Sequence, residues 1–115
     1  MNKLEKRLIE AFRKGTPIKI SNSRVVRNGY FVTLILHNTI IAEYQIGTRD
    51  IYLSSDGWRT NITKHRLNAI FEYFQLPFRI RQKDFQWEVW HFLTRKKILW
   101  EDGMTLNQLK HFFAD

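Results

Sequence analysis

Leu67, Ile70, Phe71 and Phe74 recur at i, i+3, i+4 and i+7, the spacing that collects apolar side chains into one stripe of a 3.6-residue helix. Such a stripe has to be buried against something. Most of the chain between Ile18 and Leu53 reads as β-strand, so the sequence is committed to a helix laid on a sheet. Thr60 can cap this helix, its hydroxyl accepting from a backbone N–H two or three residues on, and Pro77 lies just past the last stripe residue, where the helix should end. Arg59, Lys64, His65 and Arg66 crowd its first turns. The unpaired N–H groups there already carry partial positive charge, so each added cation costs about 0.3 to 1 kcal/mol unless an anion offsets it. Local electrostatics oppose this arrangement, and that makes it a functional signal.

The other elements follow from changes of pattern along the chain. Asn2 with Glu5 three residues later makes a capping-box start, Leu4, Leu8, Ala11 and Phe12 form an apolar stripe, and Gly15 and Pro17 stop that helix. Val25-Val26, Asn28-Gly29 and Tyr30 to Leu36 read as a hairpin with a type I′ turn, because Asn-Gly tolerates the positive φ required at both central positions. His37-Asn38 is a second turn, leading into Thr39 to Ile46, and Gly47 separates that run from Asp50 to Leu53. The expectation is an antiparallel meander of about four strands. Tyr30 to Leu36 is apolar on both faces, which predicts a central strand covered on each side, by different helices. After the helix, Phe78 to Arg81 and Phe85 to Trp90 alternate around a Gln82-Lys83-Asp84 turn, giving a later hairpin. Ile98-Leu99-Trp100 reads as a short strand and Asp102-Gly103 as a turn; Thr105 to Phe113 is a closing helix with Leu106, Leu109 and Phe113 inward. The fold class is α+β, with terminal helices, in a single domain over residues 1–115.

With 115 residues, 43% of them hydrophobic, the chain can bury a real core, and disorder is not expected. The lack of cysteine removes disulfides, thiolate catalysis and cysteine zinc sites. No apolar run reaches the roughly 18 residues of a membrane span, and no apolar core follows Met1 to Arg7 to make a signal peptide, so a cytoplasmic protein without membrane partners is expected. His37, His65, His91 and His111 are scattered, none within a helical turn of another, so no metal and no cofactor are expected. Asp50 and Asp56 flank one strand and could hold a magnesium ion or divide acid and base roles. Asp56-Gly57 is ordinary turn chemistry and Asp50 a strand start, so no catalytic residue is assigned. A binding protein, not an enzyme, is the expectation.

Nineteen Lys and Arg oppose eleven acids, for a formal net charge of +8 that favours nucleic acid, an anionic membrane face or an acidic protein as partner, and charge alone does not choose among them. Residues 59–97 hold nine of those cations against Glu72, Asp84 and Glu88, so a third of the chain carries +6 of the total. Trp58, Trp87, Trp90 and Trp100 lie in or beside this stretch and can stack on bases. Trp87 and Trp90 face opposite sides of a strand, and Trp90 is expected to be the accessible one. The candidate nucleic-acid or anion-binding residues are Arg59, Thr60, Thr63, Lys64, Arg66, Asn68, Arg79, Arg81, Trp90, Lys96 and Lys97. An alternative use of some of them is structural: Thr60 and Thr63 cap the helix, while Arg66 and Asn68 tie it to the neighbouring hairpin.

Three motifs in this order resemble a family. Ser55-x-Gly57-Trp58-Arg59-Thr60-Asn61-x-Thr63-Lys64-x-Arg66-Leu67-Asn68, then Gln82-Lys83-Asp84-Phe85-Gln86-Trp87, then Asp102-Gly103-Met104 are similar to a functionally unassigned set of small tailed-bacteriophage proteins. The resemblance runs from about Gly29 to Met104 and leaves the terminal helices outside. It implies a phage origin and the cytoplasm of a bacterial host. Two functions compete: a nucleic-acid binder whose basic face tracks phosphates, and a phage-encoded ligand that inhibits a host defence or nucleic-acid-processing protein.

Overall fold

Asn2 starts the first helix, α1 (Lys3–Lys14), as expected: its side chain accepts from the Glu5 N–H at 2.8 Å, and the Glu5 carboxylate accepts from the Asn2 N–H at 3.0 Å. Gly15 closes it at φ 70°, a left-handed conformation that glycine enters without steric cost. The computed structural model describes residues 1–114. After α1 come β1 (Ile18–Ile20), β2 (Ser23–Asn28), β3 (Phe31–Leu36), β4 (Thr39–Gln45) and β5 (Asp50–Leu53). Then follow α2 (Asn61–Tyr73), β6 (Phe78–Lys83), β7 (Gln86–His91), β8 (Lys97–Leu99), β9 (Met104–Thr105) and α3 (Leu106–Phe113). The architecture is α+β, with antiparallel sheets ordered β1-β2-β3-β4-β5-β9 and β6-β7-β8.

The meander has five strands where four were expected. Ser21 takes φ 56°, which turns the chain between Ile20 and Ser23 and makes Ile18–Ile20 a strand of its own. The next hairpin is shifted by one residue. Asn28 pairs with Phe31, so Gly29-Tyr30 form the turn, and only Gly29 has positive φ, the pattern of a type II′ rather than a type I′ turn. The β6–β7 hairpin is also shifted: Lys83 pairs with Gln86, leaving Asp84 and Phe85 as central residues at φ 51° and 64°.

One core holds the molecule together. Leu8, Ile9 and Phe12 of α1, Leu67, Ile70 and Phe71 of α2, and Leu106, Leu109 and Phe113 of α3 join Val32, Leu34, Leu53, Ile80, Trp87 and Val89 in a single buried cluster. The helices therefore share one side of the six-stranded sheet, and no helix covers the other face of β3, against expectation, although Ile35 on that face is buried. On the same face Phe31 of β3 and the neighbouring Val26, Ile40 and Tyr52 are 40–48% exposed. The principal neighbours of α2 are α1, β6 and β4, because α1 already occupies β1, β2 and β3. Phe74, at the C-cap, is only partly buried. Aromatic contacts knit the second sheet to the helices, with Phe78 lying 5.0 Å from Phe71 and 5.2 Å from Phe113 between ring centres. No helix is long and apolar enough to cross a membrane.

Candidate nucleic-acid interface

The cluster at the start of α2 divides into an inward and an outward half. Thr60 caps the helix, its hydroxyl accepting from the Thr63 N–H at 3.3 Å and lying 3.0 Å from the Thr63 hydroxyl, and Thr63 is buried. Arg66 is 6% exposed. Its guanidinium donates to Ser23 Oγ at 3.2 Å and Asn22 Oδ1 at 3.4 Å, and lies 3.6 Å from the Glu5 carboxylate. Asn68 donates to the Ile80 carbonyl at 2.9 Å and accepts from the Ile80 N–H at 2.7 Å. Thr63, Arg66 and Asn68 thus fasten α2 to its own cap, to α1 with the β1–β2 turn, and to β6. They leave the candidate contact surface. Arg59 and Lys64 stay outside, with no ion pair to any described residue, in a first turn that holds no acid.

The strand candidates gather on one plane. Register places Arg79, Trp90 and Lys97 in one cross-strand row, Arg81, Glu88 and Leu99 in the next, and Lys83 beside Gln86 in the last. Alternation sends Phe78, Ile80, Trp87 and Val89 into the core, so these rows form the outer face of β6-β7-β8. Arg81 donates to Glu88 at 2.6 Å and lies 4.5 Å above the Trp90 ring; Arg79 lies 5.4 Å from the Phe92 ring and donates to the carbonyls of Leu76 and Phe78. Lys97 stands 3.8 Å from the other Glu88 oxygen. Among these strand residues four cations face a single carboxylate, and Arg95 and Lys96 follow in the loop before β8. Trp90 is half-buried beneath Arg81, whereas Trp87 is 2% exposed.

Two open aromatics lie outside the candidate set, one beside each end of this region. Trp58 is 64% exposed, and Phe85, at the tip of the β6–β7 hairpin, is 96% exposed. A bulky residue at positive φ is sterically disfavoured, and Phe85 gains no burial in return. The sequence places Trp58 beside a turn, whereas Phe85 reads there as the first residue of an alternating strand and is a turn residue only because the hairpin is shifted.

Asp102 joins two of the motifs. Its carboxylate accepts from the Ser55 N–H at 2.7 Å, the Ser55 hydroxyl at 2.9 Å, the Gly57 N–H at 3.1 Å and the Trp100 indole N–H at 2.8 Å. Trp100 packs edge-on against Trp87, which ties in the third. Burial works to raise the Asp102 pKa, but the bonds from Ser55, Trp100 and Gly57 together outweigh it, so the carboxyl ionises below its ordinary value. A depressed folded-state pKa stabilises above the unfolded value of about 3.9, and the contribution is lost as pH falls through the folded value. Asp102 stands at an exposed position where solvent screens these bonds, so Asp102→Ala is expected to cost about 1 to 2 kcal/mol near neutral pH. Melting temperatures followed from pH 7 down to the acid limb should converge for wild type and variant; parallel curves would show that the carboxylate charge is not what matters.

Asp50 and Asp56 stand at opposite ends of β5 and share no site. Asp50 accepts from the Asn107 N–H at 3.0 Å and so supports the start of α3. Among the described residues no group of three or more His, Asp or Glu is placed to hold a metal ion.

Over residues 1–107 the sequence matches the family described as Kyanoviridae Gp96 protein. The chain belongs to that family. Gp96 is a phage family of unassigned function. The match takes in α1, which lies outside the motif-based resemblance from Gly29 to Met104, along with the loop 55–57 knot and the β6–β7 hairpin. No curated protein and no solved structure matches this Gp96 chain.

Proposed function

We propose that this Gp96 protein is a non-enzymatic nucleic-acid-binding protein that works in the host cytoplasm. The reading is carried by the outer face of β6-β7-β8, where Arg79 and Arg81 lie against aromatic rings and Lys83 and Lys97 extend the positive surface. A sheet face that is open, cationic and lined with rings suits single strands: phosphates meet the cations while bases stack on ring and guanidinium planes. Arg59 and Lys64 add phosphate contacts. Phe85 at the hairpin tip supplies an apolar side chain able to enter between bases.

A second reading, a ligand that inhibits a host protein, draws on the apolar outer face of the six-stranded sheet. Salt dependence separates the two. Labelled single- and double-stranded DNA and RNA, titrated at several salt concentrations, should bind with a steep negative slope of log affinity against log salt. In Lys83→Gln/Lys97→Gln the slope on single strands should shrink by about 0.7 for each phosphate that is no longer neutralised. Equal slopes, or no binding even at low salt, would discard nucleic acid and favour the host-protein ligand.

A further inference from the structure

Where the β3–β4 turn meets the start of α2, Leu36, Ile62 and Trp58 line a cleft of about 560 Å³. That volume falls in the usual range of small-molecule pockets, roughly 300 to 1,000 Å³. The other three tryptophans are already engaged: Trp87 and Trp100 with each other in the core, Trp90 under Arg81. The Trp58 ring is largely open to solvent, and its indole N–H has no partner among the described residues. The Asn38 amide and the Asp56 carboxylate also line the cleft, likewise without a side-chain hydrogen bond. The cleft therefore combines an aromatic plane and an apolar floor with exposed polar groups at its edge that no other side chain engages.

An aliphatic chain or a phenyl ring would cover those polar groups without satisfying them, which costs about 1 to 3 kcal/mol per buried group. A nucleobase is flat, apolar on its faces and polar along its rim. Asp56 narrows the choice, because a carboxylate accepts two parallel hydrogen bonds only from adjacent donors. Of the four common bases only guanine offers such a pair, at N1 and N2, with O6 alongside to accept from an amide. We infer that this cleft binds a guanine base, stacked on Trp58, read by Asp56 at N1 and N2 and by Asn38 at O6. Arg59, next along the chain and exposed, supplies charge for the attached phosphate. The cleft shares no residue with the outer face of β6-β7-β8, and Arg59, which serves phosphate in both readings, is not varied in the test, so the two stand or fall separately.

The base can arrive as a free nucleotide or as an unpaired residue of a strand. In ¹H–¹⁵N spectra of the full chain, GMP, AMP, CMP and UMP are titrated alongside an oligothymidine and the same oligomer with one guanine. One indole resonance, identified by its absence in Trp58→Leu, should shift with GMP or with the guanine oligomer more than with the others. Response to GMP assigns a free nucleotide; response to the guanine oligomer alone assigns a base within a strand. Trp58→Leu should weaken binding roughly tenfold or more, by the loss of one stacked base, with an unchanged melting temperature because the ring is exposed. Asp56→Asn, which tolerates the φ of 50° at this position, should abolish the preference for guanine. No shift of that resonance with any probe, or equal shifts with all four bases, overturns the inference.

Discussion

Arg66→Met is expected to lower stability by about 3 to 5 kcal/mol, although Arg66 belongs to a cluster of cations that reads from the sequence as a surface patch. Arg66 and Glu5 are 6% and 8% exposed and lie 3.6 Å apart, so removing the guanidinium leaves a carboxylate out of water with no cation beside it. Ser23 loses its donor as well, and Asn22 one of its two. The effect should be insensitive to salt, since a buried pair is screened far less than a surface one. Glu5→Gln/Arg66→Met is the informative comparison. Glutamine keeps the capping box with Asn2 but removes the charge, so the double variant should be more stable than Arg66→Met alone. Urea denaturation measures both, and a double variant no better than the single one would refute the unpaired-charge explanation.

Phe71→Ala should cost a similar amount, about 3 to 5 kcal/mol, for a different reason. Phe71 is fully buried and meets the Phe78 ring edge-on at 5.0 Å and 68°, so it joins α2 to the second sheet through packing alone. Truncation forfeits the transfer free energy of the ring and leaves the side chains around the void without packing partners. Phe71→Leu, closer in volume, should lose much less. A melting temperature unchanged in Phe71→Ala would mean that the helix stripe is not what holds the sheets together.

The elements of this fold are legible in the sequence wherever one local rule decides them. Both capping boxes, the Thr60 cap and the Gly15 stop depend on residues within a few positions of each other, and all stand where the pattern puts them. Layering is harder to read. An apolar residue on β3 looks the same whether a helix or solvent lies beyond it, and only the placement of α1 shows that Phe31 faces outward. Turn registers differ by one residue for a related reason: Asn28-Gly29 and Gly29-Tyr30 both satisfy a glycine-containing turn, and strand pairing chooses between them. In the candidate site, the cations on β6 and β8 fall on one face by simple alternation. Arg66 and Asn68 do not, because their partners Glu5 and Ile80 lie 61 and 12 residues away along the chain, and no local rule connects them.

The Asn68 contact has a consequence beyond anchoring the helix. Strand β6 forms one edge of its sheet and, at six residues, is longer than the other edge strands, β1, β8 and β9, which have three, three and two. An open edge of that length is a template on which a strand from another molecule can add. The Asn68 amide offers the Ile80 N–H and C=O the same donor and acceptor that an incoming backbone would present. It fills the middle of the edge, the Arg79 guanidinium takes the Phe78 carbonyl two residues before, and no uninterrupted run is left for a foreign strand, so two side chains guard this protein against sheet-by-sheet polymerisation.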